Sequence, residues 1–318
     1  MTSFDVFNGD ADGICALHQL RLDSPRDAVL VTGAKRDIAL LKRVPASAGD
    51  TVTVLDISAA TNRDALVRLL DRGVCIRYFD HHYAGDLPVH PNLVATIDTS
   101  PGVCTGALID RHLEGRQRPW AVVAAFGDNL PDLARSLAES LSLDAGSLAA
   151  LAELGESLAY NAYGDTEADL LVHPATLYRK LAPYADPLRF IAADPAAAML
   201  DRARVADLDH ALAVDPAFTS AHARVYVLPD TAWSRRVRGV FGNRLANAQP
   251  ALAHAVLTPN ADGGYTVSVR APLERPEGAD AFCRAFPSGG GRTGAAGIDH
   301  LPPDAVPEFA DRLERAFA

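Results

Sequence analysis

The chain has 318 residues, 48% of them hydrophobic and 22% charged, with a formal net charge of −10. That profile excludes disordered and fibrous classes, and no apolar run approaches the roughly 20 residues of a membrane span. With 30 basic against 40 acidic residues, the chain also lacks the Lys/Arg surplus that holds long duplexes, so neither a membrane nor a long nucleic acid is an expected partner.

The first strand is predicted over residues 4–7. Ile14, Leu17 and Leu20 then recur at helical spacing within residues 11–22. Residues 28–31 read as a second strand, followed by a charged helix over 35–43. A third strand covers 52–55, and a helix with Leu66, Leu69 and Leu70 on one face runs from 61 to 71 and stops at Gly73. Residues 74–79 are an apolar, β-branched and aromatic fourth strand, and 93–97 a fifth. This alternation predicts an α/β fold with a doubly wound parallel sheet.

From Gly102 the pattern turns helical, with helices over 105–113, 120–126, 133–141 and 145–160 and a polar turn at 128–131. Residues 161–195 are expected to be irregular, with Pro174, Pro183, Pro187 and Pro195 as breakers. A helix over 195–214 ends at Asp215-Pro216. The last hundred residues resume the alternation: strands over 223–228, 252–258 and 265–271, helices over 232–246, 279–286 and 308–317, and a glycine loop over 287–297. We therefore expect a catalytic domain over 1–195, a helical linker over 196–218 and a smaller α/β domain over 219–318. Charge follows this division, with 19 basic and 30 acidic residues before position 219 and 11 basic and 10 acidic from there on. Four scattered cysteines (Cys15, Cys75, Cys104, Cys283) form no C-x-x-C pair and read as small core residues of a reduced, cytoplasmic protein. The N-terminus carries no signal-peptide pattern.

Three of the predicted strands end in polar clusters: Asp10-x-Asp12-Gly13, Asp56 and Asp80-His81-His82. Each is ordinary alone. Asp12 could cap a helix or close an Asx-turn, Ser58 could cap the helix after Asp56, and Asp128 could cap the helix that follows it. Together they gather at the edge of a parallel sheet where ligands bind. Carboxylates crowded there repel one another unless cations neutralise them. Mixed oxygen and imidazole donors suit Mn²⁺ or Mg²⁺ better than Zn²⁺ or Fe²⁺. Two such ions about 3.5–4 Å apart clamp an in-line displacement at phosphorus.

These motifs, followed by Asp128-x-x-Pro131, resemble motifs I to IV of the DHH phosphoesterases. The segment from Ser288 to Gly297 resembles the glycine-rich signature of the DHHA1 domain that follows. The DHH/DHHA1 family includes exonucleases, oligoribonucleases, pAp phosphatases and cyclic-dinucleotide phosphodiesterases. The resemblance implies a two-metal centre, Mn²⁺ with Mg²⁺ as the alternative, on Asp10, Asp12, Asp56, His81 and Asp128, with Asp56 bridging. It makes His82 the contact to the scissile phosphate and Asp80 the residue that orients its neighbours. Many relatives carry His where this chain has Asn8, whose amide can ligate weakly or bond a metal-bound water, so one ion is expected to be held less tightly. Many also carry His where this chain has Arg292. Gly289, Gly290, Gly291 and Arg292 are the expected phosphate clamp, closing a cleft between the domains. Arg235, Arg236, Arg238 and Arg244 read as a charged helix face, and Tyr160, Asn161, Tyr163, His173 and Tyr178 as packing or cleft-lining groups.

The expected activity is metal-dependent hydrolysis of short oligonucleotides or of cyclic or linear dinucleotides. An exopolyphosphatase, a pAp phosphatase and a non-catalytic nucleotide-binding homologue are the alternatives. The expected partner is a small anionic substrate, with a homodimer left open.

Overall fold

The computed structural model describes residues 1–318. They form two compact units, Met1–Ala203 and Arg204–Ala318. The first opens with β1 (Ser3–Phe7), α1 (Ala11–Asp23), β2 (Val29–Val31), β3 (Thr51–Leu55), α2 (Ala59–Asp71), β4 (Cys75–Asp80) and β5 (Leu93–Ile97). All neighbouring strands run parallel, in the order β2-β1-β3-β4-β5. The order reverses between β1 and β3, and a sheet of this order opens a crevice at that point beyond its carboxyl edge.

Strand alternation divides the first core in two. Phe7, Leu55 and Phe79 face α1 and the later helices, whereas Phe4, Val6, Val52, Val54, Ile76 and Tyr78 face α2. Register aligns Phe7, Leu55 and Phe79 side by side, so Asn8, Asp56 and Asp80 leave the sheet at one edge.

The expected charged helix over 35–43 is reduced to a 3₁₀ turn at Leu40–Arg43. Asn62 of α2 holds this segment, donating to the carbonyl of Ile38 and accepting from the N–H of Leu41. Lys35 N–H is meanwhile bound to the carbonyl of Ala162 at 2.9 Å.

Seven helices follow: α3 (Thr105–His112), α4 (Arg118–Gly127), α5 (Pro131–Ala138), α6 (Ala145–Asn161), α7 (Pro174–Leu181), α8 (Pro187–Ala193) and α9 (Pro195–Leu212). The stretch expected to be irregular thus contains two helices. Pro174, Pro187 and Pro195 start helices, because the first helical position has no use for an N–H, whereas Pro183 follows the end of α7. His173, Asp186 and Asp194 each accept from the backbone N–H two residues ahead. Helix α9 begins in the first unit, and its Leu208 and Ala211 pack within the second.

The second unit contains β6 (Phe218–Thr219), β7 (Ala223–Val227), α10 (Ala232–Ala248), β8 (Ala253–Pro259), β9 (Tyr265–Arg270), α11 (Ala279–Arg284), β10 (Gly289–Arg292), β11 (Ala295–Leu301) and α12 (Val306–Phe317). Its mixed sheet has the order β10-β11-β9-β8-β7-β6. Phe282, Phe309, Leu313 and Phe317 of α11 and α12 cover one face, and Val237, Phe241 and Leu245 of α10 pack with Tyr226 and Val256 on the other. No helix of the chain is long and apolar enough to cross a membrane.

Candidate metal centre

The crevice between β1 and β3 collects the predicted residues. Asp10 is the N-cap of α1, and its Oδ1 accepts from the N–H groups of Asp12 and Gly13 at 3.1 and 3.2 Å. Asp12 does not cap its own helix. Its Oδ2 accepts from Thr105 N–H and its Oδ1 from Gly106 N–H, both at 2.7 Å. Asp12 thereby satisfies the first turn of α3, whose own N-cap residue, Cys104, supplies no side-chain bond.

Asp56 leaves β3 with φ at 61°, a left-handed conformation in a buried non-glycine residue. Such strain is characteristic of functional sites. Thr105 donates its hydroxyl to Asp56 Oδ1 at 3.2 Å. His81 places Nε2 at 3.4 Å from Asp56, 3.7 Å from Asp128 and 3.9 Å from Asp12. Asp128 reaches the cluster from the end of α4, where it is the C-cap, and so does not cap the helix that follows.

These separations exceed hydrogen-bond length. They approach the spacing of donors around one ion, since two ligands about 2.1 Å from a common cation stand about 3–3.5 Å apart. The donor set therefore fits a divalent cation. Two groups of donor atoms gather within 4.8 Å of one another, Asp56/His81/His82 and Asp12/His81/Asp128.

The charges are under strain without a cation. Burial, then repulsion from Asp12, Asp10 and Asp128, pushes the Asp56 carboxyl well up. Burial followed by Asp12 and Asp10 raises Asp128 to about 7. Burial acts on Asp10 in the same sense, but the Lys35 ammonium, 2.7 Å from Asp10 Oδ2, outweighs it and holds Asp10 below the usual carboxylate range. Lys35 Nζ also lies 4.0 Å from Asp128.

His82 Nδ1 bonds Asp80 Oδ1 at 2.7 Å. That bond raises the His82 pKa despite partial burial. Asp80 is fully buried, and its Oδ2 has no hydrogen-bond partner. Asn8 stands at the rim with its amide oxygen accepting from Asp10 N–H and its amide nitrogen donating to the carbonyl of Lys35.

Sequence reasoning missed Lys35 and Thr105. The clue to Lys35 was its place four residues after the second strand, on the same carboxyl edge as the acidic motifs. Of the five suspected cleft residues, Tyr163 has its ring centroid 6.0 Å from Lys35 Nζ. Asn161 clamps the backbone of Val172, His173 caps α7, and Tyr178 packs on Phe7. Arg235, Arg236 and Arg238 are bound to Asp230, Asp207 and Thr258.

The glycine loop requires correction. Residues 289–292 form edge strand β10, paired antiparallel with β11 from Gly289–Ile298 to Arg292–Ala295. A Cβ at Gly289 would collide with the carbonyl oxygen of Cys283, whereas one at Gly290 meets nothing within 4 Å. Glycine at 289 thus answers the close approach of α11. Arg292 stands exposed at the end of this hairpin.

No protein-family model matches the chain, and no curated protein matches its sequence. Solved structures do match it. A manganese-bound RecJ exonuclease aligns over 99% of this chain and 90% of its own, with 19% identity and a TM-score of 0.65. RecJ from Thermus thermophilus in complex with Mn²⁺ gives 18% identity and a TM-score of 0.62, and this chain covers 99% of itself but 52% of that longer protein. The pGpG-specific phosphodiesterase PggH from Vibrio cholerae aligns over 99% of this chain and 97% of its own, at 12% identity and a TM-score of 0.57. The chain shares the fold of these RecJ and PggH structures.

Proposed function

We propose that the protein is a divalent-metal-dependent phosphoesterase that cleaves phosphodiester bonds of short oligonucleotides or dinucleotides. The observation that carries this reading is the meeting of Asp12, Asp56, His81 and Asp128 at the reversal point of a parallel sheet. These four residues would hold the metal, Mn²⁺ in the first instance, with Asp10 as a fifth candidate. When bound, a divalent ion supplies Lewis acidity and lowers the pKa of a coordinated water to that of a usable nucleophile.

The remaining roles fall to the chain itself. His82 has a half-exposed side chain and is oriented by buried Asp80, which suits it to donate to a phosphate oxygen. Asp56 is fixed by the Thr105 hydroxyl and by its own N–H bond to the Phe79 carbonyl, so its carboxylate needs little reorganisation. Within the second unit, Arg292 is exposed and able to fork two bonds to a phosphate, which makes it a candidate phosphate-binding residue. PggH acts on pGpG, and that neighbour together with the excess of acidic over basic residues, 40 against 30, favours a dinucleotide over a long polyanion.

The test is turnover with Mn²⁺ of linear and cyclic dinucleotides, short RNA, pAp and polyphosphate. Release of mononucleotide from a linear dinucleotide, abolished in Asp56→Ala, is the expected result. Preferred turnover of polyphosphate or pAp would replace the substrate assignment, and binding of nucleotide without turnover would replace the enzymatic one.

A further inference from the structure

We infer that Lys35 is a built-in counter-ion that commits Asp10 and takes the place of one divalent cation, leaving a single tightly held ion on Asp12, Asp56, His81 and Asp128. The inference deepens the phosphoesterase reading and rests on it.

Both oxygens of Asp10 are already in use. Oδ1 accepts from the N–H groups of Asp12 and Gly13, and Oδ2 from the Lys35 ammonium at 2.7 Å. The same ammonium lies 4.0 Å from Asp128 Oδ1, so it stands between two of the expected ligands. Asp10 is absent from both groups of donor atoms that converge within 4.8 Å.

Lys35 is also held in place from several directions. Its N–H is bound to the Ala162 carbonyl at 2.9 Å, its carbonyl accepts from Asn8 Nδ2 at 3.4 Å, and the Tyr163 ring lies 6.0 Å from its Nζ. Asn8 binds Lys35 with one end of its amide and Asp10 N–H with the other, at 3.2 Å. An imidazole could not make both bonds in that geometry while ligating an ion. Asn8 and Lys35 therefore work as a pair: the amide secures the segment that carries the ammonium, and the ammonium neutralises the carboxylate that the amide positions. An ammonium brings one positive charge and no ligand-exchange chemistry, so the remaining ion would have to activate the water by itself.

The experiment is manganese titration of chelator-stripped full-length protein by calorimetry, with elemental analysis of the loaded protein and electron paramagnetic resonance of the bound ion. Wild type is expected to take up one tight ion per chain and show the spectrum of an isolated Mn²⁺. Lys35→Met should take up two ions, the second bound roughly tenfold or more tighter than any weak second site of wild type, with the signal broadened by coupling between them. Lys35→Arg should retain the single-ion behaviour, which separates loss of charge from loss of folding. Two ions of similar affinity in wild type, or one ion still in a folded Lys35→Met, would overturn the inference while leaving the phosphoesterase reading intact. A raised KM in Lys35→Met with unchanged stoichiometry would do the same and reassign Lys35 to substrate. Absence of manganese binding to every variant would remove the phosphoesterase reading and this inference together.

Discussion

Asp12 has two tasks that a single substitution will expose. It faces the proposed ion position and it completes the first turn of α3 through Thr105 and Gly106. Asp12→Ala should therefore abolish metal binding and also lower stability by about 1–3 kcal/mol, the cost of leaving buried donors unpaired. Asp128→Ala should weaken metal binding with little change in stability, because Asp128 receives no comparable backbone bonds at its carboxylate. Chemical denaturation beside manganese titration separates the two. The pair His81 and His82 divides in a similar way. His81→Ala should lose the metal, whereas His82→Ala should retain it and lose turnover; metal content and rate measured on the same samples distinguish them. Adjacent in sequence, the two imidazoles are told apart by what they meet: His81 Nε2 points among three carboxylates, and His82 Nδ1 is tied to Asp80.

Among the elements, the five strands of the first unit, β7 to β9 of the second and most helices were legible because a period of two or 3.6 residues is a local property, whereas β6, β10 and β11 were not expected. Breakers were less legible. Pro174, Pro187 and Pro195 suggested an irregular stretch, yet each opens a helix behind a capping residue. A proline shows where a helix cannot continue, and also where one can begin. The glycines at 289–291 were less legible for a different reason: a run of glycine fits an open loop and a crowded hairpin equally well. The structure forms the hairpin. Gly289→Ala should destabilise the second unit by about 1–3 kcal/mol through overpacking against the backbone of Cys283. Gly290→Ala, with open space around its Cβ, should leave stability unchanged; thermal melts of the two variants provide the comparison. If the hairpin touches substrate at all, Gly290→Ala should alter KM without altering the melt.

Across the whole molecule, two buried histidines set an acid limit on folding. His18 lies in the first unit with Nε2 at 2.8 Å from the Tyr184 carbonyl, its ring edge-on to Trp120 and its Nδ1 unpartnered. His254 lies in β8 of the second unit. Burial holds both pKa values at about 4, below the ordinary 6.5, with Arg224 adding to the effect at His254. Both are neutral when folded and take up a proton more readily when unfolded. Their stabilising contribution is therefore complete above pH 6.5 and is lost as pH falls from there toward 4. For His18 the loss amounts to up to about 3 kcal/mol at 1.36 kcal/mol per pH unit. Urea unfolding between pH 7 and 4 should show this slope, and His18→Gln should remove its share while keeping a donor for Tyr184.

By itself the sequence determined the succession of strands along the first unit, the acidic and imidazole residues that end them, and the edge of the sheet at which they emerge. Each of these follows from short-range periodicity and from the rule that parallel strands present their carboxyl ends to ligands. Tertiary structure alone decided which charges meet. Lys35 reaches Asp10 only because β2 pairs beside β1, and Asp12 caps a helix 93 residues further along the chain. Electrostatic partners are chosen by distance in space, and the path of the chain sets that distance.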